Sequence, residues 1–275
     1  MSTSTDPVAP VAADVRLALP TGLETVVSRC GSGGLPIMFS HGLFMDRTMF
    51  APQLDDLGHD GLCLAWDERA HGLSRSSGEF TYWDSARDLL ALLDAFDIRE
   101  AILCGMSQGG MLSLRAALLA PERVAGIVML ASHAQAIRPA LVPTYETMIE
   151  EWGGDSTPEI IDRLAATLLG PLVRAETWKR RWGQMPRAEV GRALRTLVGR
   201  EDLTGRLHEI TAPLHAVYGE ADRAVQPSQA LEVVELVGGP SAATRIPDGP
   251  HTLNLSHPAE VNAVLRDFRR TLQHR

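Results

Sequence analysis

The chain of 275 residues carries 26 basic and 34 acidic side chains for a net charge of −8, with 45% hydrophobic and 22% charged residues. This composition supports a substantial core and excludes extensive disorder, and the lack of any Lys/Arg run removes the electrostatic footprint that nucleic-acid binding needs. No stretch supplies the roughly 18 uninterrupted apolar residues of a membrane span, and the start MSTSTDPVAPVAAD has neither a basic nor an apolar leader segment, so neither a membrane nor a nucleic-acid partner is expected and a cytoplasmic location is.

The first dozen residues, rich in Ser, Thr, Pro and Ala, read as a loose arm. VRLAL and LETVVS then flank Pro20, Thr21 and Gly22, which is a hairpin pattern. Short apolar runs follow: PIMFS (36–40), LCLAW (62–66), AILCGM (101–106), GIVMLAS (126–132), PLHAVYG (213–219) and a weaker AATRIP (242–247). Their lengths and their Gly, Pro and Asp boundaries predict strands buried on both faces, as in a parallel sheet. Between them, TYWDSARDLLALLDAF (81–96) sets Ala86, Leu89, Leu90 and Leu93 at helical spacing. Strands alternating with helices predict an α/β fold with a doubly wound sheet. From about His133 to Leu207 no strand is legible, while EIIDRLAATLLG and AEVGRALRTLVG read as helices. The predicted organisation is a core domain in two parts, residues 1–132 and 208–275, interrupted by a helical lid over 133–207. Cys30, Cys63 and Cys104 are odd in number, far apart and without metal-ligand spacing, so reduced thiols are expected.

AILCGM runs directly into Gly105-Met106-Ser107-Gln108-Gly109-Gly110, and the segment after it keeps a helical period up to Pro121. In this strand–turn–helix setting G-x-S-x-G projects the Ser107 hydroxyl at the C-terminal edge of the sheet, and side chains at Gly105 and Gly109 would collide with strand and helix. A glycine-rich turn that only starts a packed helix is the competing reading. Against a nucleotide-binding loop, neither G-x-x-x-x-G-K-[ST] nor a G-x-G-x-x-G after the first strand is present. The order nucleophile, acid, histidine is filled by Ser107, Asp222 in Gly219-Glu220-Ala221-Asp222, and His251 in Asp248-Gly249-Pro250-His251.

Those residue types answer a chemical need: the serine hydroxyl is a weak nucleophile until an imidazole accepts its proton, and a carboxylate fixes the imidazole tautomer. Glu220 is the rival acid, with less reach; His257 is the rival base, but it precedes Pro258 at a helix start. The backbone N–H groups of Gln108 and of Leu43, in His41-Gly42-Leu43-Phe44, are the expected oxyanion donors. His41 and the run Asp67–Ser74 read as loop architecture at the site mouth. Phe44, Trp152, Trp178 and Trp182 are the candidate substrate-pocket side chains, although aromatic residues in helices more often build core. Arg174, Lys179, Arg180 and Arg181 are candidates to meet an acidic substrate, although such a run more often makes a solvated helical face.

SHGL, DERAHGLS, GMSQGG, GEAD and DGPH, in that order, resemble the α/β-hydrolase superfamily. LTGRLHEITAPLHAVYGEAD resembles the branch that holds 3-oxoadipate enol-lactonases, cofactor-free haloperoxidases and small carboxylesterases. The resemblance implies an α/β-hydrolase fold, a mostly parallel central sheet flanked by helices with an inserted helical lid. It also implies an enzyme without cofactor or metal that cleaves a small-molecule ester or lactone through an acyl-enzyme intermediate. Phe44 stands where proline is common and Pro250 where glycine is, and either difference reshapes the pocket. A carbon–carbon bond hydrolase using the same triad and a slow-turnover ligand receptor are the alternatives. Nothing in the sequence sets an oligomeric state.

Overall fold

Runs that are apolar on every residue need cover on both faces, and the chain provides it. The computed structural model describes residues 12–171 and 173–274; all but the last residue of the N-terminal arm lies outside them. In chain order the elements are β1 (Ala13–Ala18), β2 (Glu24–Cys30), β3 (Ile37–Ser40), α1 (Ala51–Leu57), β4 (Cys63–Trp66), α2 (Tyr82–Ala95), β5 (Ala101–Met106), α3 (Gln108–Leu119) and β6 (Val124–Leu130). There follow α4 (Val142–Glu151), α5 (Thr157–Leu168), α6 (Ala175–Gly183), α7 (Arg187–Val198), β7 (Leu214–Gly219), α8 (Pro227–Leu236), β8 (Ser241–Ile246), α9 (Leu253–Ser256) and α10 (Pro258–Gln273).

The strands form one sheet in the order β1-β2-β4-β3-β5-β6-β7-β8. The β1–β2 hairpin pairs antiparallel and β2 meets β4 antiparallel; from β4 to β8 every pairing is parallel. The central strands β3, β4 and β5 are buried at every residue, as a sheet covered on both faces requires. The edge strands β1 and β8 are mostly exposed, which is why AATRIP carries the weakest apolar signal. Helices α2 and α3 pack against each other, as do α1 and α10. Thr81 starts α2 through a capping box: its N–H donates to Asp84 Oδ2 at 2.8 Å and its Oγ1 accepts from the Asp84 N–H at 3.3 Å.

Between β6 and β7 the described residues hold α4 to α7 and no strand. α6, with the sequence AETWKRRWG, buries only Trp178 and Trp182, too few apolar positions to announce a helix from sequence. All three cysteines are buried, and no disulfide joins them. No helix among the described residues is long and apolar enough to cross a membrane.

Candidate active site

Ser107 sits at the junction of β5 and α3 with φ of 49° and ψ of −110°, a left-handed strain that the surrounding contacts hold in place. Its N–H donates to Leu130 O at 2.8 Å, and its carbonyl accepts from Ser132 Oγ at 2.6 Å. The flanking glycines are sterically required: a Cβ on Gly105 would lie 2.1 Å from the Gly109 backbone, and one on Gly109 would lie 2.0 Å from Ser40 O on β3. The helix can therefore start almost against the sheet, which leaves the serine hydroxyl partly exposed at the strand edge.

The loops after β7 and β8 lean on each other. A Cβ on Gly219 would fall 2.0 Å from Gly249 O, and the Ala221 N–H donates to the same carbonyl at 3.1 Å. This contact brings Asp222 and His251 together: His251 Nδ1 lies 2.8 Å from Asp222 Oδ2, with both side chains almost fully buried. Asp222 Oδ1 accepts from the Ala224 and Val225 N–H groups at 2.7 and 2.9 Å. With both oxygens engaged the carboxylate is locked, and Nε2 is the ring nitrogen left for other work. The rival Glu220 instead pairs with Arg245 at 2.8 Å on the surface, and the rival His257 bonds Ser256 Oγ through Nδ1 at 2.8 Å.

Ser107 and His251 line one cavity of about 460 Å³, together with Leu43 and Gln108. Among the described residues no hydrogen bond joins Ser107 Oγ to His251 within 3.5 Å, and such contacts often tighten only around substrate. The N–H of Gly109 is taken by His41 O at 3.1 Å, whereas the N–H groups of Leu43 and Gln108 have no partner among the described residues. Two free donors at the mouth of the Ser107 turn, one of them at a helix N-terminus, suit a developing negative oxygen.

Buried side chains hold these donors from below. Gln108 donates through Nε2 to Glu68 Oε2 at 2.5 Å and accepts from Tyr82 OH at 3.0 Å. Burial pushes the Glu68 carboxyl well above the usual carboxylate range. His41 donates through Nδ1 to Gly42 O at 2.9 Å and accepts from the Glu68 N–H through Nε2 at 3.0 Å, so it is spent on loop structure. Burial brings the pKa of His41 down to about 4; burial and the neighbouring His41 bring His71 down to about 3. Arg47 Nη1 meets the wholly buried Asp67 carboxylate at 2.8 Å, closing the loop that follows β4.

Glu68 gives a signed pH dependence. Its raised folded-state pKa means that its share of stability is full below the unfolded value of about 4.3 and is lost as pH rises toward the folded value. A Glu68→Gln variant keeps the shape without the titration, so its melting temperature should gain on the parent by a few degrees between pH 5 and pH 8. A constant difference across that range would show that the carboxyl is not held protonated.

Of the four expected pocket side chains, only Phe44 lines the cavity. Trp152, Trp178 and Trp182 are core, and the expectation for them is corrected. Trp152 stacks on Phe44 with ring centroids 5.6 Å apart and donates to Met185 O at 3.2 Å. Trp182, fully buried, donates to Phe44 O at 2.8 Å, and Trp178 packs under the Arg181 guanidinium at 4.9 Å. Indoles fill such positions because they bury a large apolar area while the N–H still reaches a carbonyl. The cavity takes its walls instead from Tyr145 of α4, Leu164 and Leu168 of α5, Leu197 of α7, and His133 and Arg200. Of these, only the helical period around Leu164, Leu168 and Leu197 left a trace in the sequence.

A family model described as alpha/beta hydrolase fold matches residues 36–258. The chain is 27% identical to the serine hydrolase BPHL of Mus musculus over 263 residues, covering 90% of this chain and 83% of that one. It is 36% identical to 3-oxoadipate enol-lactonase 1 of Acinetobacter baylyi over 78 residues, a match to only 28% of this chain and 29% of that relative. In three dimensions it is similar to a thermophilic esterase from Thermogutta terrifontis, with a TM-score of 0.86, 23% identity and coverage of 95% of this chain and 100% of that chain. At that identity the likeness speaks for the fold alone. The family match over most of the chain, joined to the sheet topology and the elbow at Ser107, makes this protein a member of the α/β-hydrolase fold family and a hydrolase.

Proposed function

We propose that the protein is a serine hydrolase that cleaves ester or lactone bonds of small acyl substrates through an acyl-enzyme intermediate. The observation that carries this reading is the Asp222–His251 hydrogen bond at 2.8 Å behind a ring that shares a cavity with a strained-turn serine and two unpartnered backbone donors. Ser107 Oγ attacks the carbonyl carbon while His251 Nε2 takes its proton, and the Leu43 and Gln108 N–H groups hold the oxyanion. The imidazolium, steadied by Asp222, passes the proton to the leaving oxygen. Water then repeats the sequence on the acyl-enzyme, releasing the acid and regenerating Ser107. Residues 133–207 act as a lid whose helices shape the acyl pocket.

A fluorophosphonate should add one equivalent to Ser107, seen by mass spectrometry, and activated esters or lactones should turn over. Turnover below one per hour beside stoichiometric labelling would favour the receptor reading. Products split between two carbons of a diketone would favour the carbon–carbon hydrolase. Neither adduct nor turnover would overturn the serine mechanism.

A further inference from the structure

Among the described residues the cavity at Ser107 is lined by Arg138, Arg200 and Arg223 and by no aspartate or glutamate, on a chain whose net charge is −8. Its sign is thus opposite to that of the whole molecule. Arg138 and Arg223 are exposed and stand at the rim. Arg200 lies deeper, at 8% exposure; its Nε donates to Gln135 O at 3.0 Å and its Nη1 to Leu197 O at 2.9 Å.

Its other fork nitrogen, Nη2, has no acceptor among the described residues, and no carboxylate lies within 4.0 Å of the guanidinium. Asp202, whose charge acts on Arg200, is exposed and turns its oxygens to the Ala136 N–H and to Thr204. A second donor joins it. His133 Nδ1 accepts from the Gln135 N–H at 3.2 Å, which fixes the ring proton on Nε2. Burial and the charge of Arg200 hold the pKa of His133 down to about 3, so the ring stays neutral and Nε2 can only donate.

Arg200 and His133 both line the cavity, and a mostly buried guanidinium without a counter-charge gains from a ligand that brings acceptors for both. A carboxylate does: it is planar and singly charged, and its two oxygens supply one acceptor for Arg200 Nη2 and one for the His133 Nε2–H. We propose that the substrate carries a second, unreacting carboxylate, held by Arg200 and the His133 Nε2–H while its ester or lactone carbonyl sits at Ser107. This rests on Ser107 being the nucleophile. The bland alternative is that Arg200 only ties Gln135 to the end of α7, and the two roles make different predictions.

The test compares 4-nitrophenyl hydrogen glutarate with 4-nitrophenyl pentanoate, esters of equal length that differ in a terminal carboxylate. The anionic ester should be preferred in kcat/KM by about tenfold or more. Arg200→Gln should lower that preference by about 10- to 100-fold, mainly through KM, and Arg200→Lys should restore part of it. Glutarate should inhibit the unmutated enzyme better than butyrate, and KM for the anionic ester alone should rise with salt; this arm stands even if Arg200→Gln does not fold. A preference for the neutral ester, or a ratio untouched by Arg200→Gln, would overturn the carboxylate site while leaving Ser107 as the nucleophile. No hydrolysis of either ester together with no fluorophosphonate adduct would remove both.

Discussion

Replacing Ser107 with alanine should cut kcat by at least about 10⁴-fold and abolish the fluorophosphonate adduct. Ser107 Oγ makes no hydrogen bond among the described residues, while the turn is held by the Ser107 N–H and carbonyl, which alanine retains. The fold should therefore survive, with a melting temperature within about 3 °C of the parent, since no buried partner is orphaned. The loss would then be one of chemistry. Residual turnover above about one per cent of the parent would show that another group attacks the carbonyl.

Asp222→Asn should lower kcat by about 10⁴-fold at neutral pH, through the tautomer rather than the fold. Two backbone N–H groups donate to Asp222 Oδ1, so the amide oxygen of an asparagine is drawn to that side and its NH₂ faces His251. A ring whose Nδ1 must accept carries its proton on Nε2, the atom that has to take the serine proton. Stopped assays on an activated ester measure the rate, and ¹⁵N imidazole shifts report the tautomer. An Asp222→Asn enzyme that kept both the parent rate and the parent tautomer would assign the orienting role elsewhere.

The sheet was legible because β3, β4 and β5 are buried at every position and carry no polar side chain but that of Ser40, a pattern that a half-exposed element does not give. That the loops carrying Ser107, Asp222 and His251 lie at one edge of the sheet was legible for a topological reason: the order of strand ends in a parallel sheet decides which loops can meet. The contact that joins two of them, Gly219 against Gly249, is an inter-loop fact that no local pattern encodes. Pocket composition was the least legible. The tryptophans attract attention as large aromatics, yet their N–H groups are spent on Met185 O and Phe44 O inside the core. Arg200 reads locally as a polar residue just past the end of α7. Only the three-dimensional route of the chain, with the Leu203 N–H bonded to Ala134 O at 2.9 Å, places it beside His133. The short α1, with Pro52 in its first turn, is similarly visible only through its packing against α10.

The bond from the Trp182 indole to the carbonyl of Phe44 means that the inserted helices are not an interchangeable cassette. Grafting the corresponding segment of another hydrolase onto this sheet would sever a strut that reaches to within one residue of the Leu43 amide. Efforts to retarget this scaffold by module exchange should carry residues 42–46 along with the helices, or the transplanted roof will arrive with its hinge to the reaction centre missing.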